Sequence, residues 1–123
     1  MNFKQVTGKE GEDLACDYIR SKKYKILERN HRQKYGEIDI IAKKKDGLLV
    51  FFEVKAMRFG SSEMSPEMNL SPLKLKKLQR TAYIYANNNL KLVDNEKGWQ
   101  IDLIAIDLTD NEKDCDIRHY ENI

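Results

Sequence analysis

The sequence predicts an α/β fold, a central mixed sheet flanked by helices in the order αβββαβ(β). Three observations predict it. Residues 8–23 and 72–88 repeat apolar side chains at helical spacing. Residues 37–44 and 48–56 are apolar runs of strand length on either side of Lys45-Asp46-Gly47. A further apolar run, 99–107, follows the second helix.

The first helix is expected over 8–23. Gly8, Glu12, Ala15 and Ile19 form one stripe, with Leu14 and Tyr18 beside it. Glu12 thus falls near the inward face, an unusual place for a carboxylate. Its plainer reading is a first-turn acid complementing the helix dipole, as Glu10 and Asp13 also would. Residues 24–30 read as the first strand. The two-strand hairpin that follows turns on its loop length. A two-residue Asp46-Gly47 turn would place Asp39 opposite Val54 and away from Glu53. A three-residue loop, Lys45 to Gly47 with the glycine left-handed, pairs 44 with 48, 39 with 53 and 37 with 55. Only that parity sets Asp39 beside Glu53, with Cβ atoms about 5 Å apart, so it is the expected one.

Residues 57–70 read as a surface loop. Ser71 is an N-cap followed by Pro72 at the first helical position, and the helix runs to about residue 88. Leu75, Leu78, Ala82, Tyr85 and Ala86 face inward, and Asn87-Asn88-Asn89 ends it. Residues 99–107 form an apolar strand, and 116–121 a short edge strand. One domain over 1–123 is expected, since no linker, repeat or low-complexity segment interrupts the chain.

Composition excludes several classes. Hydrophobic residues make up 41% and charged residues 34%, and no 18-residue apolar stretch exists, so no membrane association is expected. The first residues carry no apolar signal segment, which with two unpaired-looking cysteines, Cys16 and Cys115, points to the cytoplasm. His31 and His119 are isolated and make no zinc set, and His119 reads as a surface residue.

Charge is uneven along the chain. Residues 1–93 carry 19 Lys/Arg and 11 Asp/Glu, a net +8, whereas residues 94–123 carry a net −6. The cations cluster at 22–25, 29–34, 43–45 and 74–80. On one face they could track a phosphate backbone, although lysine-rich faces are more often simply solvated.

The chemistry-bearing residues lie in two strands. Gly36-Glu37-Ile38-Asp39 supplies one acid, and Glu53-Val54-Lys55 supplies another acid with a lysine on the same face. Glu53 and Lys55 follow the apolar run Leu48 to Phe52, where a core strand has no use for either charge. An ion pair buried there adds little net stability. Two acids that could hold a hard cation, with an ammonium beside them, suit metal-assisted attack on a phosphodiester.

The chain resembles the YraN-like family, small bacterial proteins of mostly unassigned function related to the PD-(D/E)xK superfamily of restriction endonucleases and Holliday-junction resolvases. The resemblance rests on Gly8 through Ala15, Arg29-Asn30, Gly36 through Ile41, Phe52 through Lys55, Arg58-Phe59-Gly60, Lys74, Lys77-Leu78, Ala82, Ile101 through Ile104 and His119 through Ile123. Ile38 stands where the superfamily pattern writes proline. The resemblance implies a restriction-endonuclease-like three-layer fold and a metal-dependent endonuclease acting on DNA, branched structures included. It implies that Asp39, Glu53, the Val54 carbonyl and Glu12 hold Mg²⁺ or Mn²⁺. Lys55 would orient or help deprotonate the attacking water. Glu37 would tune Lys55, and Arg58, Lys74 and Lys77 would contact phosphates.

Gln79-x-x-x-Tyr83 has the spacing of a feature found in some superfamily nucleases, but it reads more simply as a helix-packing tyrosine with a solvated glutamine. Asp102 reads as a structural capping or pairing residue and receives no catalytic role. The partner implied is nucleic acid, DNA before RNA, and a homodimer would offer one site per strand. The alternative reading is a non-catalytic nucleic-acid-binding module on a nuclease-derived fold.

Overall fold

A computed structural model of the chain describes residues 3–58, 66–108 and 115–123. Helix α1 spans Phe3–Ser21, β1 Lys25–Gln33, β2 Gly36–Lys43, β3 Leu49–Arg58, α2 Pro72–Asn88, β4 Trp99–Leu108 and β5 Asp116–Tyr120. The five strands form one mixed sheet in the order β1-β2-β3-β4-β5. Only β3 and β4 are parallel, and α2 lies in the long crossover that parallel neighbours require. This is the expected α/β architecture, consistent with a restriction-endonuclease-like fold. The expected loop 57–70 lies partly outside the described residues; β3 continues through Arg58, and Pro66–Asn69 form a 3₁₀ turn.

The two helices cover opposite faces of the sheet. Ala15, Cys16 and Ile19 of α1 pack with Ile40, Val50, Phe52, Ile104 and Ile106. Leu78, Ala82, Tyr85 and Ala86 of α2 pack with Ile41, Leu49, Phe51 and Ile101 on the other side. Both faces of β3 are therefore buried, which is why its sequence is continuously apolar from Leu48 to Phe52.

Two glycines permit this close packing. A Cβ on Gly11 would lie 2.4 Å from the Ala56 Cβ, so α1 can approach β3 only because residue 11 has none. Gly36 combines φ of +149° with a would-be Cβ 2.1 Å from Thr81 Oγ1 of α2.

Several expectations are corrected. Helix α1 starts at Phe3, so Glu10, Glu12 and Asp13 sit in its interior, its first turn holds no acid, and the dipole reading of all three fails. Gly8 is tolerated inside the helix and is exposed, while Gly11 takes the buried place. Strand β1 runs on to Gln33, because His31, Arg32 and Gln33 pair with Ile38, Glu37 and Gly36 across a two-residue turn. Tyr83, read as packed, is 60% exposed. Helix α2 begins as expected: Ser71 is extended and its hydroxyl accepts the Lys74 N–H at 3.2 Å.

Candidate metal and phosphodiester site

The β2–β3 loop decides where the acids point, and it has three residues. Lys44 N–H donates to the Leu48 carbonyl at 2.9 Å, and Gly47 closes the turn with φ of +102°. The register is the expected one from Lys43↔Leu49 to Ile40↔Phe52. Beyond that pair the ladder stops. Continued, it would send the Val54 N–H to the Ile38 carbonyl; instead that N–H donates to Asp39 Oδ2 at 2.8 Å. Strand alternation breaks at the same point. Ile38 packs with the α2-side core, although Ile40 and Ala42 pack with the α1-side core. Asp39 thus sits in a local parting of β2 from β3.

This parting exposes Asp39 to two clefts. One, about 520 Å³, lies on the α1 side and is lined by Glu12, Arg29, Asn30, Arg32 and Val54 with Asp39. The other, about 340 Å³, lies on the α2 side and is lined by Glu37, Glu53, Lys74 and Lys77 with Asp39. Asp39 is the junction between them.

Glu53 and Lys55 continue the Leu49–Phe51 alternation and share a face, as expected. Lys55 Nζ lies 3.2 Å from Glu53 Oε1, and the two side chains are 23% and 18% exposed. Burial pushes the Asp39 carboxyl up to about 7, assisted by the Glu53 charge and opposed by the Val54 N–H. Burial also raises Glu53, with Lys55 as the main opposing influence and Lys74 a smaller one. The two carboxyls therefore titrate as a pair. Among the described residues the Val54 N–H is the one hydrogen bond to the Asp39 side chain, which leaves Oδ1 without a partner. Two mostly buried acids repelling one another, one with an unmet oxygen, are a donor set that fits a hard divalent cation.

The sign of the Asp39 shift gives a stability prediction. A carboxyl raised above its unfolded value costs stability when ionised. That cost is full above the folded value, shrinks as pH falls from 7 toward 4, and is absent below about 4. Asp39→Asn should therefore stabilise the protein by about 2 kcal/mol at pH 8, and the gain should vanish near pH 4. Thermal unfolding at the two pH values measures this. A lower melting temperature for the variant at pH 8 would show that the carboxylate is held comfortably.

Glu12 comes to the α1-side cleft from the middle of its helix. Its Oε1 accepts from Arg29 Nε at 3.1 Å and from Asn30 Nδ2 at 2.9 Å, while Arg29 also donates to Asp13 at 2.7 Å. Asn30 is left-handed, φ +53°, a conformation asparagine tolerates. Glu12 is close enough that its charge raises Asp39.

Not every expected residue joins the group. Glu37 does not pair with Lys55, because the ladder that would have aligned them has ended. It is exposed and lies opposite Arg32 of β1, 4.0 Å from its Nε. Arg58, expected on phosphate, donates to both oxygens of Glu10 at 2.8 and 3.0 Å.

A second polar group centres on Asp102, which pairs structurally as expected, and on His119, which does not lie where it was expected. Asp102 is fully buried on β4, and His119 is not the surface residue expected: its side chain is 13% exposed. His119 Nε2–H donates to Asp102 Oδ2 at 2.7 Å, and the Tyr18 hydroxyl of α1 meets Nδ1 at 3.1 Å. Asp102 Oδ1 accepts from Gln100 Nε2 at 2.9 Å and from the Asn122 N–H at 3.0 Å. Asp102, His119 and Glu121 each place one ligand atom within 4.8 Å of the others, so they form a cluster able to hold a metal ion. The signal was in the sequence: Asp102 interrupts Ile101, Leu103 and Ile104 just as Glu53 ends its own apolar run.

Comparison with known proteins reaches the same segments. A sequence profile described as Uncharacterised protein family UPF0102 matches residues 11–106, the stretch that holds Glu12, Asp39, Glu53, Lys55, Lys74 and Lys77. The chain belongs to the UPF0102 family. It is 42% identical over 116 residues to a UPF0102 protein of Thermodesulfovibrio yellowstonii, covering 94% of this chain and 92% of that one. A UPF0102 protein of Persephonella marina is 38% identical over 121 residues, covering 98% and 94%. One from Thermotoga maritima is 48% identical over 82 residues, covering 66% and 71%. Among the described residues no helix of this UPF0102 protein is long and apolar enough to cross a membrane.

Proposed function

We propose that this UPF0102 protein is a metal-dependent endonuclease that hydrolyses phosphodiester bonds in DNA. The observation that carries the reading is the pair Asp39 and Glu53. These are two mostly buried carboxylates from adjacent strands, each raised by burial and both facing one cleft, with the Lys55 ammonium 3.2 Å from Glu53. Burying two acids together is costly, and the one hydrogen bond that ties Asp39 to β3, from the Val54 N–H, uses a single oxygen and does not call for Glu53 beside it. Groups tuned this way gather at functional sites.

Asp39, Glu53 and the Val54 carbonyl would hold Mg²⁺ or Mn²⁺, with Glu12 reaching the same acid from the α1-side cleft. Bound there, the cation supplies positive charge to polarise a phosphoryl oxygen and acidify a water. Lys55 would hold the attacking water by hydrogen bonding and would offset the charge that develops on the phosphate. Lys74 and Lys77, on the rim of the same cleft, hold the flanking phosphates. The described residues include no zinc finger or similar base-reading element, so backbone and shape govern binding.

The test is cleavage of linear, forked and four-way DNA with Mg²⁺ or Mn²⁺, wild type against Asp39→Ala. Metal-dependent cleavage that disappears in the variant is the expected result. Cleavage that survives the substitution would assign the activity to another site. Salt-sensitive binding without any cleavage would favour the non-catalytic nucleic-acid module.

A further inference from the structure

We propose that the outer face of α2 binds an unpaired DNA strand, with Lys76 and Arg80 on its phosphates and Tyr83 stacked on a base. The first observation is charge. Over its 17 residues α2 carries Lys74, Lys76, Lys77 and Arg80 and no acid. Lys74 falls in the first turn, where the helix dipole is already positive and acids are the stabilising choice, and Lys77 and Arg80 follow at like-charge spacings of three residues, with Lys76 and Arg80 four apart. A polyanion laid along the helix relieves that repulsion.

The second observation is continuity. Lys74 and Lys77 line the cleft that holds Asp39 and Glu53. Lys76 and Arg80 are exposed on the adjoining strip of the same helix, and Tyr83 follows Arg80 by one turn. Arg80 and Tyr83 then line a further cleft of about 510 Å³ with Trp99 and Gln100 of β4. Trp99 is level with Leu49 in the parallel register, four residues before Glu53. That separation is about 13 Å along the strand, close to four base steps of nucleic acid.

The third observation selects an unpaired strand over a duplex. Tyr83 is 60% exposed, beside a guanidinium, at the end of the basic strip. Duplex DNA needs only the cations, because its base faces are already stacked on one another. An open strand can lay a base on the phenol ring, as strand-binding proteins do with exposed aromatics along a positive groove.

The proposal rests on the nuclease reading for the course of the strand, so its test reads binding. Fluorescence anisotropy in EDTA, on the full chain, compares single-stranded DNA, single-stranded RNA of the same sequence and blunt duplex DNA. Tyr83→Ala should weaken single-stranded DNA by about tenfold and duplex by less than about twofold, whereas Tyr83→Phe keeps wild-type affinity. Arg80→Gln should lower the slope of log affinity against log salt by about one. Equal losses on strand and duplex, Tyr83→Phe as weak as Tyr83→Ala, or dependence on Tyr83 for RNA alone would overturn it. Metal-dependent cleavage is measured beside binding. Cleavage with no Tyr83 effect on binding overturns this surface and leaves the nuclease reading. Tyr83-dependent binding with no cleavage by the wild type does the reverse.

Discussion

Glu53→Gln is expected to lower metal-dependent DNA cleavage by about a thousandfold or more, roughly 4 kcal/mol of transition-state stabilisation. The amide keeps the shape of the side chain and removes the charge that the cation requires. Lys55→Met should cost about a hundredfold to a thousandfold, because it removes one charge-stabilising donor and leaves both acids in place. The two variants separate in metal affinity. Glu53→Gln should lose most Mn²⁺ binding, and Lys55→Met should keep or strengthen it, since an opposing ammonium has gone. Single-turnover cleavage and Mn²⁺ titration read these quantities. A Glu53→Gln protein that cuts within tenfold of wild type would place the chemistry elsewhere.

Asp102→Ala is expected to destabilise the fold by about 3 kcal/mol, the larger of the two stability effects described here. The substitution leaves His119 Nε2–H, the Asn122 N–H and the Gln100 amide without their acceptor, in a place where Asp102 is fully buried. It also unfastens the C-terminal residues from β4, because Asn122 and Ile123 both donate to this stretch of the strand. Urea unfolding at neutral pH measures the loss. The same experiment tests the metal-capable arrangement of Asp102, His119 and Glu121. Both Asp102 oxygens already accept hydrogen bonds, so in a Glu53→Gln background, where the proposed Asp39–Glu53 site has lost a ligand, EDTA should leave the midpoint unchanged. A loss under about 1 kcal/mol for Asp102→Ala, or an EDTA-weakened midpoint in the Glu53→Gln background, would contradict a hydrogen-bonded lock.

A different acid network holds the end of the chain from the other side. Arg118 of β5 binds Glu67 through Nε at 2.7 Å and a terminal nitrogen at 2.8 Å, and it reaches Asp107 at 2.8 Å and Asp116. The Arg118 hydrogen bonds hold Glu67 down at about 2, so that contribution is present at neutral pH and is lost only in strong acid. Glu67, Asp107 and Asp116 converge on one guanidinium.

The elements that local chemistry dictates were readable from residues. Lys45-Asp46-Gly47 supplied the left-handed glycine that a three-residue hairpin loop needs, and this set the register from Lys43↔Leu49 to Ile40↔Phe52; the expected Asp39–Glu53 pair falls just past the end of that ladder and is not formed. Ser71-Pro72 marked the start of α2 to the residue. The apolar run before Glu53 marked β3 as buried on both faces, which made the charges that follow it conspicuous.

What was not readable depends on contacts between distant segments. The parting of β2 from β3 at Asp39 breaks the strand's own alternation, with Ile38 drawn to the α2-side core; no local pattern in Gly36 through Ile40 encodes that. Glu37 was misplaced for the same reason, since the expected pairing assumed an unbroken ladder. The pairing of Glu10 with Arg58 spans 48 positions and has no sequence signature. Asp102 and His119 meet because β4 and β5 run antiparallel, and the buried position of Asp102 was the only hint of it. Glu12 was found from its helical stripe, since Ala15 and Ile19 are buried, while the first-turn reading of it fails because α1 begins five residues earlier than its periodicity implied.

The most direct measurement is a crystal of the protein soaked in Mn²⁺ and examined by anomalous scattering. The account predicts one strong peak between Asp39 and Glu53, about 2.0–2.3 Å from a carboxylate oxygen of each. A peak at Asp102, His119 and Glu121 instead, or none between β2 and β3, would contradict it.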